Sequence, residues 1–243
     1  MARRTRSTVC FRGQEDDRSE GRAMAAALRE TIILTIADLV LKNLDPLLDD
    51  LSLLLLRFSR LPRAGAPPIS RQYAKLYGGD LSAEQQKLAV LLDALYSVTD
   101  PNLLSTRRGA VLECLVFHAV SARKKQVGDE VIHNLDYLRF PDHNAPKSNG
   151  YSVDVIACFP RHRMVEMYAC KLHTEHMPEN DLRDFDGLGE YFSERRTVVT
   201  AFGCLEYLVD VDEDFQLRRL KYPDIELIAL EDFPTLLDEW DNE

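Results

Sequence analysis

The stretch SVDVIACFPRHRMVEMYACKLH, which runs from Ser152 to His173, places two apolar runs on either side of a short polar turn. The first run contains a single aspartate, Asp154, and the second ends with a single lysine, Lys171. Two such runs joined by the segment PRHR predict an antiparallel β-hairpin. The two charges are unusual there, because a charge on a buried strand is costly unless it is paired or functional.

The register of this hairpin predicts which side chains meet. Alternate residues of a strand share a face. If Phe159 pairs with Met164 across the turn, Asp154 lies directly opposite Ala169, and Lys171 becomes its diagonal neighbour, within reach of a long side chain. Two interpretations remain open from these residues: a cross-strand ion pair at the edge of the sheet, and a functional site.

The order of the remaining elements predicts an α/β fold, with a central mixed β-sheet flanked by helices and an N-terminal helical subdomain. Residues 1–22 are dense in charge and poor in apolar side chains, which is typical of a disordered tail. Helical periodicity over residues 23–100 predicts the subdomain, with Ser82 and Gln85 in capping-box register. Residues 101–243 alternate helix and strand patterns and are expected to form the α/β core.

The charge balance limits how the chain can bind nucleic acid. The formal net charge is −10 and the isoelectric point is about 5.2, so binding through bulk charge is not expected. A local basic patch would have to make the contacts, and the candidates are Arg107, Arg108, Arg161 and Arg163. An ordinary solvated charge run explains these arginines equally well.

Cysteine usage and hydropathy favour a cytoplasmic protein that does not enter a membrane. The five cysteines include no C-x-x-C pair, and an odd number is typical of a reducing compartment. The longest apolar run, from Leu51 to Leu56, is far shorter than the roughly 20 residues that span a bilayer. The six histidines are not spaced to complete a closed zinc site.

Three segments together resemble the PD-(D/E)XK nuclease superfamily, in its restriction-endonuclease-like branch. They are RRGAVLECL with Glu113 on the first core helix, GYSVDVIAC with Asp154, and MYACKLH with Lys171. The family has an aspartate on the second core strand, and a carboxylate–x–lysine motif on the third. The resemblance covers the chain from about Leu103 to Trp240 and implies a restriction-endonuclease-like core.

The resemblance also implies roles for these residues. Asp154 would be the chief ligand of a divalent metal, Mg²⁺ or Mn²⁺, with the backbone carbonyl of Cys170 as a second ligand. Lys171 would orient or deprotonate the attacking water or steady the phosphate, and Glu113 would support the metal. The chain departs from the pattern at Ala169, where the family carries Glu or Asp. The change leaves two origins open, a natural loss and an engineered Glu→Ala substitution.

No neighbouring carboxylate is expected to replace the one that Ala169 lacks. Strand alternation puts Glu166 on the face opposite Lys171, and Glu175 lies beyond the strand. The sequence therefore predicts a Mg²⁺-dependent DNA endonuclease, with a role in prokaryotic defence, that is impaired or inactive at Ala169. The alternative is a catalytically dead nuclease-fold protein that binds nucleic acid or acts as a scaffold. The expected partners are DNA and, through the N-terminal helices, a second copy or another protein.

Overall fold

The computed structural model describes residues 24, 26–60, 66–122, 130–135, 153–159, 163–193 and 197–237. The predicted disordered tail over residues 1–22 and the candidate Arg161 lie outside these ranges. The α-helices are α1 (Thr31–Lys42), α2 (Leu44–Arg57), α3 (Ile69–Leu76), α4 (Ala83–Leu95), α5 (Pro101–Ala122), α6 (Glu179–Ser193) and α7 (Glu213–Arg219). The strands are β1 (Glu130–Leu135), β2 (Val153–Phe159), β3 (Met164–Cys170), β4 (Thr197–Gly203) and β5 (Ile225–Ile228). Short 3₁₀ helices cover Thr174–His176, Leu208–Asp210 and Leu230–Leu237.

The five strands form one mixed sheet in the order β1-β2-β3-β4-β5. The first three are antiparallel neighbours, whereas β3, β4 and β5 run parallel. Helix α6 makes the crossover from β3 to β4, as a parallel pair requires. This arrangement confirms the predicted α/β class with a mixed sheet, and it places the carboxyl ends of β3 and β4 at the same edge.

The β2–β3 hairpin has the predicted register. Phe159 pairs with Met164, and the pairing continues without a slip to Val155 and Tyr168. Arg163, the last residue of the turn, has a φ of 51°, a left-handed conformation that closes short hairpin connections. All seven residues of β3 are buried, which fits a strand in the middle of the sheet.

The sheet separates two hydrophobic layers. The first layer joins the N-terminal helices and α5 to one face of the sheet, where Val155, Tyr168 and Ala201 lie. The second layer packs α6 and α7 against Met167, Phe202 and their neighbours on the other face. The N-terminal helices therefore share a continuous core with the sheet, and the division at residue 100 remains a prediction about independent folding. No helix in the described ranges is long and apolar enough to cross a membrane.

A buried polar cluster fixes three of the N-terminal helices to one another. The carboxylate of Asp50 on α2 is 1% exposed. It accepts hydrogen bonds from the hydroxyl of Tyr73 (2.5 Å), the hydroxyl of Tyr77 and the side-chain amide of Gln85 (2.9 Å). Gln85 also completes the predicted capping box with Ser82 at the start of α4. One carboxylate thus joins α2, α3 and α4.

Candidate active site at the edge of β2 and β3

The side chain of Asp154 is bound to the backbone of β3. Its Oδ2 accepts a hydrogen bond of 2.6 Å from the N–H of Cys170. The regular main-chain pairing of β2 with β3 ends at Val155 and Tyr168. Beyond that pair, the carboxylate of Asp154 accepts the hydrogen bond that a main-chain carbonyl would accept in a continuing ladder. The predicted meeting of Asp154 with the Ala169–Lys171 segment is therefore confirmed.

Cys170 is the residue around which the candidate site residues gather. Its side chain is 7% exposed. Burial raises the pKa of the Cys170 thiol well above its usual value, the carboxylates of Asp154 and Glu113 raise it further, and Lys171 opposes them. The carboxylate of Asp154 is hydrogen-bonded to the main chain of Cys170, and Lys171 is the next residue along the chain. Glu113 is buried on α5, in the layer that packs on the same face of the sheet as Cys170.

The main-chain N–H of Cys170 faces β2. In an antiparallel pair, the N–H and C=O of one residue point to the same neighbouring strand. Because the N–H of Cys170 reaches Asp154, its carbonyl oxygen also points toward β2. The protonated thiol is a poor ligand for Mg²⁺, which prefers oxygen. The carbonyl is thus the group of Cys170 that suits a metal.

Glu113 reaches this region from the opposite layer. It lies on α5, is 4% exposed, and belongs to a helix whose apolar residues pack with Cys170 on one face of the sheet. Helix α5 is buried on nearly all sides, so no amphipathic pattern identifies Glu113 as special. In the sequence, Glu113 was identified only by the order of the three segments that resemble the nuclease family, in which its helix precedes the two strands.

Lys171 continues the main-chain pairing beyond the end of β3. Its N–H donates to the carbonyl of Gly203 at 3.0 Å, which ties it to the end of β4. Asp181 lies in the first turn of α6, the helix that makes the crossover from β3 to β4. Burial raises the pKa of Asp181, the charge of Lys171 lowers it, and Asp184 adds to the rise. The sequence did not single out Asp181, because only the crossover through α6 brings it back to β3.

Ala169 provides no ligand and is enclosed by apolar side chains. It is 1% exposed and lies in the same buried cluster as Leu182 and Phe185 of α6. Glu166 does not replace the missing carboxylate. Its side chain is 2% exposed and accepts a hydrogen bond of 2.5 Å from the hydroxyl of Tyr168, which belongs to the layer on the other side of the sheet.

Glu175 is also directed to a different place. It lines a groove of about 510 Å³ together with Asp212, Asp214, Arg218 and Lys221. The acids and bases of this groove lie on α7 and its flanking turns. Neither of the two carboxylates considered from the sequence thus takes over at position 169.

The residues present fit a divalent metal in donor type but form an incomplete set. Mg²⁺ is usually held by one or two carboxylates, together with waters and substrate phosphates. Asp154 and the Cys170 carbonyl provide oxygen donors, and Glu113 lies close by. Within the described part of the chain, no group of three or more His, Cys, Asp or Glu side chains is arranged to hold a metal ion. Ala169 stands where the family has the further carboxylate.

Two of the predicted nucleic-acid contacts have intramolecular roles. Arg108 is 5% exposed and donates to the carbonyls of Ser59 (3.1 Å) and Leu55 at the end of α2. Its guanidinium is therefore engaged within the fold and is not presented to solvent, where a phosphate would bind. Arg107 forms an ion pair of 2.7 Å with Glu30, and both side chains are largely buried.

Arg163 is the predicted contact whose position suits a bound phosphate. It is exposed at the end of the β2–β3 turn. Its backbone carbonyl accepts a hydrogen bond of 2.9 Å from the N–H of Thr197, which holds the turn against the start of β4. The turn lies at the opposite end of β3 from Lys171, so a contact there would be remote from the reacting phosphate.

A second carboxylate that no sequence pattern reveals is Glu206, which follows β4. Its side chain accepts hydrogen bonds from the N–H of Thr174 (2.8 Å) and the hydroxyl of Thr174 (2.6 Å). The Nδ1 atom of His173 lies 3.3 Å from its other oxygen. Thr174 and Glu206 are 32 positions apart, so no local pattern announces the contact.

The chain matched no protein-family model, no curated protein and no solved structure in the comparisons made with it. Of the predicted site residues, Asp154 is hydrogen-bonded to Cys170, and Lys171 follows Cys170 along the chain. Glu113 is buried on α5, and Ala169 lies within an apolar cluster. Arg107 and Arg108 are bound elsewhere in the fold. The family assignment therefore depends on the residues themselves and is a proposal.

Proposed function

We propose that this chain carries the site of a Mg²⁺- or Mn²⁺-dependent DNA endonuclease of the PD-(D/E)XK type, in a form impaired at Ala169. The single observation that carries the proposal is the 2.6 Å hydrogen bond from the N–H of Cys170 to Asp154. It joins Asp154 on β2 to Cys170 on β3, the residue directly before Lys171. A simple structural ion pair between Asp154 and Lys171 would not require this contact.

Each residue has a part that its position allows. Asp154 and the carbonyl of Cys170 would hold the metal, and Glu113 would support it from α5. The bound metal supplies an activated water and neutralises charge on the scissile phosphate. Lys171, at the carboxyl end of β3, would orient that water or hydrogen-bond a phosphate oxygen. In open α/β sheets, ligands bind outside the carboxyl ends of the strands, which favours this edge.

The loss of the carboxylate at position 169 weakens such a site severely. A barrier higher by 1.36 kcal/mol slows a reaction tenfold. Losing one oxygen ligand of a divalent metal is therefore expected to cost orders of magnitude in rate. The parent chain, which carries Ala169, should therefore bind DNA or metal measurably while its rate of DNA cleavage is low.

A matched pair of substitutions tests the proposal. Ala169→Glu adds a side chain with a carboxylate, and Ala169→Gln adds one of nearly the same volume without the charge. Cleavage of supercoiled plasmid, linear duplex and RNA would be measured with Mg²⁺ and with Mn²⁺. We expect cleavage of DNA by the Glu variant and none by the Gln variant. If the folded Glu variant cuts neither DNA nor RNA, the nuclease proposal fails.

Position 169 is enclosed, so the larger side chains could prevent folding. Circular dichroism and thermal unfolding of both variants would detect this. The parent chain then provides the second test. Electron paramagnetic resonance would measure the binding of Mn²⁺ to the parent chain and to its Asp154→Asn variant. We expect the parent chain to bind Mn²⁺ and the Asp154→Asn variant to lose this binding. Equal binding, or none in either protein, would refute the metal role of Asp154.

The second candidate is a catalytically dead nuclease-fold protein that binds nucleic acid or acts as a scaffold. The apolar surroundings of Ala169 favour it, because Mg²⁺ usually keeps several of its waters and an enclosed apolar position leaves no room for them. The net charge of −10 favours a scaffold over a protein that binds DNA by charge alone. DNA binding by the parent, without cleavage in any of the variants above, would support this candidate.

Association through the N-terminal helices is proposed together with either function. Their outer surface carries the exposed apolar side chains Leu34, Leu53, Leu76 and Val90, of which Val90 is 67% exposed. Val90→Asp should therefore reduce any self-association seen by light scattering. Removing the helices altogether is a poorer test, since they share a core with the sheet.

A further inference from the structure

The segment that follows Lys171 is held by a network centred on Glu206. The N–H and the hydroxyl of Thr174 donate to one carboxylate oxygen of Glu206, at 2.8 Å and 2.6 Å. His173 lies against the other oxygen at 3.3 Å. The hydroxyl of Thr174 also accepts a hydrogen bond of 3.1 Å from the N–H of Asp212. Thr174 is fully buried, so the network is part of the interior.

Glu206 is itself anchored to the sheet. Its carbonyl accepts a hydrogen bond of 2.9 Å from Leu230, directly after β5. Two residues earlier, the N–H of Cys204 donates to the carbonyl of Ile228 at 3.0 Å. The carboxylate therefore has a fixed position relative to β4 and β5. Hydrogen bonds to an ionised carboxylate are stronger than those to neutral groups, which makes this a firm attachment.

Lys171 stands between two attachments to the end of β4. On one side, its own N–H is bound to Gly203 at 3.0 Å. On the other, His173 and Thr174 are bound to Glu206, three residues beyond Gly203. The chain bends at Leu172, and the second attachment fixes the position of the backbone just after the bend. Holding both sides limits where the ammonium group of Lys171 can go.

The ionisation of Glu206 agrees with this arrangement. Burial alone would raise its pKa, but the hydrogen bonds from His173 and Thr174 outweigh burial and hold the pKa below its usual value. The carboxylate is therefore charged at neutral pH and attracts its donors most strongly there.

We propose that Glu206 is a positioning residue for Lys171, acting through Thr174 and His173. This inference builds on the proposed nuclease function, in which Lys171 contacts the attacking water or the phosphate. It assigns to Glu206 the task of keeping the lysine in register with Asp154 and Cys170 across the edge of the sheet. Small displacements of a catalytic group can cost about a hundredfold in rate, so such support is valuable.

The test follows the amine of Lys171 directly in the parent chain and needs no catalysis. Lysines are dimethylated with ¹³C, and the Lys171 signal is identified by its loss in Lys171→Arg. We expect Glu206→Gln to shift or broaden that signal. Glu179→Gln is the matched control: Glu179 lies 2.9 Å from Lys221, so it should move the Lys221 signal and leave Lys171 unchanged.

A second pair of variants separates positioning from folding. Thr174→Val removes the hydroxyl at nearly constant volume, whereas Thr174→Ser keeps it. We expect Thr174→Val to shift or broaden the Lys171 signal, and Thr174→Ser to leave this signal as in the parent chain. In the Ala169→Glu chain, Glu206→Gln should lower kcat about tenfold or more. KM should change by less than about threefold, since substrate binding is not the step affected.

The outcomes for the two proposals are distinguishable. If Glu206→Gln and Thr174→Val lower the unfolding temperature but leave the Lys171 signal in place, Glu206 is structural only and the inference is overturned. If the Ala169→Glu chain is folded and inactive, the nuclease proposal fails. The lysine spectra of the parent then still decide whether Glu206 positions Lys171.

Discussion

Replacing Asp50 with Ala perturbs the cluster that joins α2, α3 and α4. The Asp50 carboxylate is 1% exposed and accepts hydrogen bonds from Tyr73, Tyr77 and Gln85. Truncation removes the acceptor for all three donors and leaves a space where the carboxylate was. Tyr73 is fully buried, so its hydroxyl cannot turn to water for a replacement.

The size of the effect can be worked from these contacts. A hydrogen bond to a charged group contributes about 1.5 to 3 kcal/mol, and a buried donor left without an acceptor costs a similar amount. The three bonds share one acceptor and are not additive, so we expect a loss of roughly 4 kcal/mol in the free energy of unfolding. For a chain of this size that lowers the unfolding temperature by roughly 8 to 16 °C. Asp50→Asn keeps an acceptor and should cost about half as much.

The assay compares urea unfolding, followed by far-ultraviolet circular dichroism, with amide hydrogen exchange in β3. The amides of Val165 and Met167 report on the centre of the sheet. Because the N-terminal helices and the sheet share one core, Asp50→Ala should lower the exchange protection of these amides by the same free energy as the global unfolding. Asp38→Ala is the control. Its carboxylate forms an exposed ion pair with Lys42 and should matter by less than about 1 kcal/mol.

Unchanged protection in β3 would refute this reasoning. It would mean that residues 23–100 unfold separately from the sheet, as an independent subdomain would. A loss of stability near that of the Asp38 control would refute the energetic role of the Asp50 cluster itself.

Three further predictions concern other residues. Arg108→Met should reduce the free energy of unfolding by roughly 2 to 3 kcal/mol, because the carbonyls that end α2 lose their buried donor, while DNA binding by fluorescence anisotropy stays as in the parent. The hydrogen bond to Asp50, followed by burial, raises the pKa of Tyr77 to about 12, above the value of about 10 in the unfolded chain. The stability it contributes is therefore complete below pH 10 and lost as the pH rises through 12, and Tyr77→Phe should flatten the alkaline fall in urea midpoints over that window. Lys171→Met in an active Ala169→Glu chain should abolish cleavage and leave the fold and DNA binding intact; cutting at nearly the speed of the Ala169→Glu chain would remove Lys171 from the chemistry.

Features set by neighbouring residues could be read from the sequence. The β2–β3 register follows from the length of the turn, which pairs Phe159 with Met164 and so fixes every later pair. The capping box at Ser82 and Gln85 is also local, because the two residues bond each other's backbone within one turn. The proximity of Asp154 to the Ala169–Lys171 segment came from that register alone.

Features set by packing between distant elements could not be read in this way. Arg108 looks like part of a basic run, but helix α5 is enclosed by its neighbours and directs this side chain to the end of α2. Asp181 and Glu206 have no distinguishing context in the sequence. The crossover through α6 places Asp181 where the charge of Lys171 lowers its pKa, and the parallel pairing of β3 with β4 brings Glu206 to Thr174.

The hairpin with its aspartate and lysine was determined by the sequence, because it depends on residues that are neighbours along the chain or across one turn. The α/β class followed from the order of the helix and strand patterns. The tertiary structure alone decided that Ala169 is enclosed by α6, that Arg108 is buried, and that Glu206 holds the segment after Lys171. The physical reason is that burial and long-range hydrogen bonds depend on which surfaces the whole chain brings together, and local periodicity does not contain that information.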